Sequence, residues 1–246
     1  MDREIIVGIV QNVCNLSSCN DTATVLQCLN VIDVIICYTV FPNEILAICI
    51  IALCRTVNKE AHCQNSYKIM RNLLGTQLGY ASLLTMCNIM NDTRYHVDEE
   101  ILRGAVFHVN ATLFGGMGLG SLQNGMKYSS TVLQSYLQVL KSKYLIVTYE
   151  VLLSIQTVIQ KCGQELSEPS WDIVVAILES ILEHIESAGI PDNHDMMVRF
   201  HLVLDHLEML IQKNEINVDV GKVYSVIEQI SSKRSVSYND SINSLY

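Results

Sequence analysis

The chain is poor in residues that interrupt structure: of 246 positions only three are proline and twelve are glycine. So few breakers leave room for long continuous elements. Charge is scarce as well, 17% of residues against 50% hydrophobic, which excludes disorder over most of the length. Positive charge is the scarcer sign, with sixteen Lys and Arg against twenty-five Asp and Glu and a net charge of −9. A surface without basic excess does not neutralise a phosphate backbone, so no nucleic-acid binding is expected. No signal-peptide pattern follows Asp2, Arg3 and Glu4. The most apolar run, ILAICIIALC at 45–54, is too short to cross a bilayer, and extending it backwards takes in Asp33, Pro42, Asn43 and Glu44. No membrane insertion is expected, and the location expected is cytoplasmic.

The nine cysteines do not form the dense framework of a small secreted domain. Cys28, Cys37, Cys49, Cys54 and Cys87 lie in strongly apolar contexts and are expected to be reduced core residues. Cys14 and Cys19 have no matching pair downstream, so no structural zinc site is expected. The Asn-X-Ser/Thr triplets starting at Asn15, Asn20, Asn91, Asn110 and Asn239 read as surface or capping positions.

What fills the chain is helical periodicity. After Asp21 and Thr22, the residues Val25, Leu29, Ile32 and Ile36 recur at three- and four-residue steps, and Pro42 opens a second helix with Leu46, Ile50 and Leu53 on one face. The short link between them predicts a helical hairpin. A second pair is expected at about 61–75 and 77–90, with Tyr67, Met70, Leu73 and Leu74 on one stripe and Leu83, Leu84, Cys87 and Met90 on the other. Asp98 is placed to cap a helix carrying Leu102, Ala105, Val106, Val109 and Leu113. Further pairs are expected at 126–141 with 145–162 and at 170–187 with 195–212, and Val220, Val223, Tyr224, Ile227 and Ile230 suggest one last short helix. In the helix at 170–187, Val174, Ile177, Leu178, Ile181, Leu182 and Ile185 form the apolar face, with Glu179, Glu183 and Glu186 around it. One amphipathic helix cannot hide its own apolar face; successive antiparallel helices can. The spacing of about forty residues therefore points to an all-α fold, a HEAT-like α-solenoid of antiparallel helix pairs. Residues 1–20 are expected to form an amino-terminal helix or cap, 21–230 the helical-repeat domain, and 231–246 a flexible polar tail.

No catalytic constellation emerges. The glycine run at 115–120 is not followed by Lys-Ser or Lys-Thr and comes after a helix, so it reads as a connection rather than a phosphate cradle. His194, His201, Asp205 and His206 lack the spacing of a zinc protease helix and read as separate surface groups. No catalytic, cofactor-binding or metal-binding residue is expected. Four cations, Arg55, Lys68, Arg71 and Arg103, stand out as organising residues; Arg71 follows an apolar helix face and Arg103 lies within a hydrophobic register, where either guanidinium can bridge neighbouring helices while its stem packs on apolar groups. They are the candidate structural or partner-interface residues. Tyr67, Trp171 and Tyr224 read as packing residues.

The segments LCRT at 53–56, KIMRNLLGT at 68–76, LRGAVF at 102–107, YEVLLSI at 149–155 and WDI at 171–173 together carry more than generic periodicity. In this order they resemble the amino-terminal helical-repeat region of the tuberin family, with the resemblance extending from about Val25 to Lys213. It implies a noncatalytic scaffold that supports binding of the hamartin coiled coil within the tuberous sclerosis complex. That complex restrains growth signalling by promoting GTP hydrolysis on Rheb, which this region would meet only indirectly, and it would bring a peripheral lysosomal association. The family's GTPase-activating domain is not matched, so the chain is expected to correspond to part of a longer protein. The alternatives are a general regulatory helical adaptor for another signalling protein and, as a weaker third reading, a direct small-GTPase activator.

Overall fold

The computed structural model describes residues 3–17, 19, 21–113, 129–213, 221, 225 and 228, and among them finds ten α-helices and no strand. They are α1 (Arg3–Leu16), α2 (Thr22–Tyr38), α3 (Leu46–Thr56), α4 (Glu60–Leu74), α5 (Gly79–Asn91), α6 (Glu99–Leu113), α7 (Ser129–Val139), α8 (Leu145–Cys162), α9 (Glu168–Ser187) and α10 (Asp195–Gln212). The run at 115–120, the Leu113 side chain, the apolar positions proposed for 220–230 and the tail at 231–246 lie outside the described residues.

Local chemistry sets several boundaries. Asp21 accepts a hydrogen bond from Thr24 N at 3.0 Å and so caps α2, and Asp98 accepts one from Ile101 N at 3.1 Å at the start of α6. Ser167 precedes α9, whose first turn holds Pro169 where no amide donor is required. Gly189 takes φ 62 after α9, the left-handed conformation that favours glycine. Pro42 does not open the regular helix directly. A 3-10 turn, Asn43–Ile45, intervenes, and α3 begins at Leu46.

The helices pack in two layers, and the closest neighbours within a layer are alternate elements. One layer runs α2, α4, α6, α8 and α10; the other runs α1, α3, α5, α7 and α9. In the first layer Lys68 reaches back 35 residues to Asp33, Arg103 is paired with Glu150 47 residues on, and Tyr149 with Asp195 46 residues on. Asn72 meets Cys37 at the same 35-residue offset as Lys68 and Asp33, so α2 and α4 run parallel. These offsets are those of a solenoid-like stack with a repeat near forty residues. The hairpin expected between α2 and α3 is corrected in detail: α2 lies against α1 and α4, whereas α3 lies against α4 and α6. The short link carries the chain to the opposite layer, and each helix then finds its tightest packing elsewhere.

Most of the apolar stripes are where the periodicity puts them, although Tyr67 and Leu84 are only half-buried. Val25, Leu29, Ile32 and Ile36 of α2 and all six apolar residues named for α9 are buried. Trp171, Tyr136 and Phe200 are the largest fully buried side chains. Cys28, Cys49, Cys54 and Cys87 are buried thiols, but Cys37 is exposed. It stands one turn beyond Asp33 on the outward side of α2, where its sulfur faces Asp33 and Asn72 instead of the core. One helix with its following turn, Leu145–Glu165, is long and apolar enough to cross a membrane by length and composition; half of its window is buried within the fold.

Candidate functional site

Helix α6 crosses α3 at short range. A β-carbon built on Gly104 would lie 2.0 Å from Cys54 O and 2.6 Å from the carbonyl carbon, so only glycine permits this approach. Around the crossing lies a connected set of polar groups. Asn58, in the turn after α3, donates from Nδ2 to Cys54 O at 2.7 Å and to Glu100 O at 2.7 Å. Its Oδ1 accepts from Arg103 Nη1 at 3.2 Å, and Arg103 Nε donates to Glu150 Oε2 of α8 at 3.2 Å. Arg55 pairs with Asp98 at 2.8 Å, tying the end of α3 to the cap of α6. One turn further along α6, the His108 ring faces Leu53 O at 3.4 Å.

Arg55 and Arg103 belong to this one cluster. Lys68 lies elsewhere, on α4, paired with Asp33 of α2 at 2.7 Å, and Asn72 adds a bond to the other Asp33 oxygen. Arg71 is exposed and has no acidic partner among the described residues. It borders an open recess of about 400 Å³ with Cys37, Asn72, Gly75 and Thr76. Three of the four cations therefore fasten helices together. Asn58 and Glu150 complete the cluster and were not singled out from the sequence, although a lone carboxylate in the apolar stretch YEVLLSI is a signal that a partner is needed.

Burial raises the Glu150 carboxyl above its ordinary range, and the Arg103 guanidinium only partly opposes this. The Glu150 side chain is 6% exposed and Arg103 35%, so the pair is half-wet on one side and dry on the other. The charge on Glu150 is therefore tolerated rather than stabilising. Glu150→Gln, which keeps an acceptor for Arg103, is expected to change unfolding free energy by less than about 1 kcal/mol, whereas Glu150→Ala is expected to cost about 3 kcal/mol. Urea titration of the two variants separates these outcomes; equal losses would mean that the charge itself stabilises the crossing.

At the far end of the layer, Asp195 of α10 accepts from Tyr149 Oη and, at 2.9 Å, from Arg199 Nε, and the Arg199 guanidinium lies 5.9 Å from the Tyr149 ring centroid. His194 is occupied as the cap of α10, its Nδ1 accepting from Met196 N at 3.2 Å. Among the described residues no group of three His, Cys, Asp or Glu side chains is arranged to hold a metal ion. The chemistry of these clusters is the fastening of helices.

Residues 1–242 match the family described as Domain of unknown function (DUF3384), and the chain belongs to that family.

Proposed function

We propose that this DUF3384 domain is a tuberin-like scaffold, a HEAT-like solenoid that works by binding, with a hamartin-like coiled coil as its partner and an indirect part in restraining Rheb and growth signalling at cytoplasmic and lysosomal surfaces. The observation that carries the reading is the convergence of its most specific segments. LCRT, LRGAVF and YEVLLSI, far apart in the chain, meet at one crossing, where Cys54 abuts Gly104 and Arg103 pairs with Glu150, while KIMRNLLGT supplies the Lys68 and Asn72 contacts to α2. Residues that recur together in a resemblance and meet in space specify a particular helical stack rather than any helical protein.

The docking face that best suits a helical partner is the outer side of α2. Val31, Val34 and Tyr38 are exposed there at i, i+3 and i+7, Tyr38 to 83%, with Lys68 and the unpaired Arg71 on the adjacent α4. Three apolar anchors at helical spacing with charge at the edge match helix-in-groove recognition.

The test is size-exclusion chromatography with light scattering on the monodisperse 246-residue chain mixed with hamartin fragments. A peak of summed mass is expected, reduced by Val34→Glu with Tyr38→Glu in a variant of unchanged helicity. Separate peaks from folded proteins at low and moderate salt would overturn the hamartin reading and leave an adaptor for a different signalling protein.

A further inference from the structure

The outer face of α2 ends at two recesses, both built from the last turn of α2 and the link between α4 and α5. The smaller, about 400 Å³, is lined by Cys37, Arg71, Asn72 and Thr76; the larger, about 580 Å³, takes the next residues of the same two segments, Tyr38 and Gln77, with Phe41 and Leu78. Their charge is of one sign. Arg71 lines the smaller recess and Arg3 the larger, and neither lining contains an Asp or Glu. On a chain of net charge −9 this is a local reversal, and the recesses at Lys143 and at Gly163 each include a glutamate. The cations of this region are not equivalent. Arg3 is paired with Glu44, and Lys68, one turn before Arg71, is paired with Asp33. Arg71 alone of the three is left without an acidic partner among the described residues. Its guanidinium holds N–H donors in a fixed fork that matches a carboxylate. The apolar positions Val31, Val34 and Tyr38 lead along α2 towards these recesses, and Tyr38, exposed on that face, is itself part of the larger one. A partner lying on the stripe therefore brings one edge to Arg71.

We propose that the occupant of this groove is an amphipathic helix with an acidic flank, and that Arg71 selects it. The apolar stripe of the partner lies on Val31, Val34 and Tyr38, one apolar anchor enters the recess lined by Tyr38, Phe41 and Leu78, and a carboxylate of the flank accepts hydrogen bonds from Arg71. The inference rests on the outer side of α2 being the docking face and adds to it the charge of the partner. Apolar contact supplies the burial, while the one unpaired cation at the edge sets the preferred sign and register.

The experiment titrates the full chain against two fluorescent synthetic helices that share one leucine stripe, one flanked by glutamate and the other by lysine, and in parallel against the hamartin fragments. Long-range attraction to a chain of net charge −9 favours the lysine helix, so the two explanations predict opposite orders. The expected result is tighter binding of the glutamate helix, weakened about tenfold by Arg71→Glu, with the lysine helix gaining in that variant. Arg71 is exposed, so its replacement leaves the core untouched, and circular dichroism checks the helicity. Tighter binding of the lysine helix, binding of neither helix, or a preference unchanged in Arg71→Glu would overturn the proposal. Hamartin fragments that fail to bind while the glutamate helix binds through Arg71 would remove the hamartin reading and leave the acidic-helix groove standing. Fragments that bind wild type and Arg71→Glu equally, but not Val34→Glu with Tyr38→Glu, would do the reverse.

Discussion

Gly104→Ala is expected to destabilise the chain by about 3 kcal/mol or more, and Gly104→Val further, because overpacking against backbone has no side-chain rotation to relieve it. The added β-carbon would meet Cys54 O at 2.0 Å, and that oxygen is held in place by Asn58 Nδ2 at 2.7 Å. Helices α3 and α6 must then separate, and the separation pulls on Asn58, Arg103 and through it Glu150. Gly8 supplies the control. It lies in α1 with nothing within 4 Å of the position of an added β-carbon, so Gly8→Ala is expected to stabilise by about 0.5–1 kcal/mol through helix propensity alone. Chemical denaturation followed by circular dichroism compares the two. A Gly104→Ala variant with the wild-type midpoint would mean that the crossing can widen freely, and the polar cluster could not then be what fixes it.

This crossing also marks the boundary of what the sequence makes readable. Helical stripes are legible because a period of 3.6 residues is written into single positions: Val174 through Ile185 are apolar at that spacing and are buried together. The Asp98 cap is legible for a similar reason, since a short polar side chain before an apolar periodic run has one local use. Cys37 was not, because its neighbours Ile35 and Ile36 are buried and a step of one residue turns the side chain by about 100°. Which helix packs on which is not a local property at all. The α2–α4 and α3–α6 contacts depend on surfaces separated by 35 to 55 residues, and periodicity says only that each helix has a face to hide. The value of Gly104 shows the limit most plainly. LRGAVF was visible as a specific motif, but a glycine in a helix becomes informative only when the opposing backbone is known.

Acidification is expected to weaken the fold before the carboxylates titrate, and His108 is the reason. Its ring is fully buried, and burial lowers its pKa from 6.5 to about 4, with the Leu53 carbonyl pulling weakly the other way. Nε2 carries the proton shared with Leu53 O, while Nδ1 has no hydrogen-bond partner, so a second proton would have nowhere to be satisfied. The sign follows from proton uptake. Below pH 6.5 the unfolded chain protonates this histidine and the folded chain does not, so stability present above that pH is lost progressively as pH falls from 6.5 to about 4, where the loss is complete. Between pH 7 and pH 5 the loss is about 2 kcal/mol. Glu150 acts in the opposite sense: its raised carboxyl favours the folded state on acidification and is penalised as pH rises, so it cannot produce this weakening. The half-buried His184 is lowered too, chiefly by burial, and contributes in the same direction as His108. Comparing urea unfolding at the two pH values in the wild type and in His108→Gln isolates the one ring. Glutamine keeps a donor for Leu53 O without a titrating group, so the pH-dependent loss should shrink by about 2 kcal/mol, whatever the variant's stability at pH 7. An unchanged difference would place the acid sensitivity elsewhere and require that His108 is already hydrated in the native state.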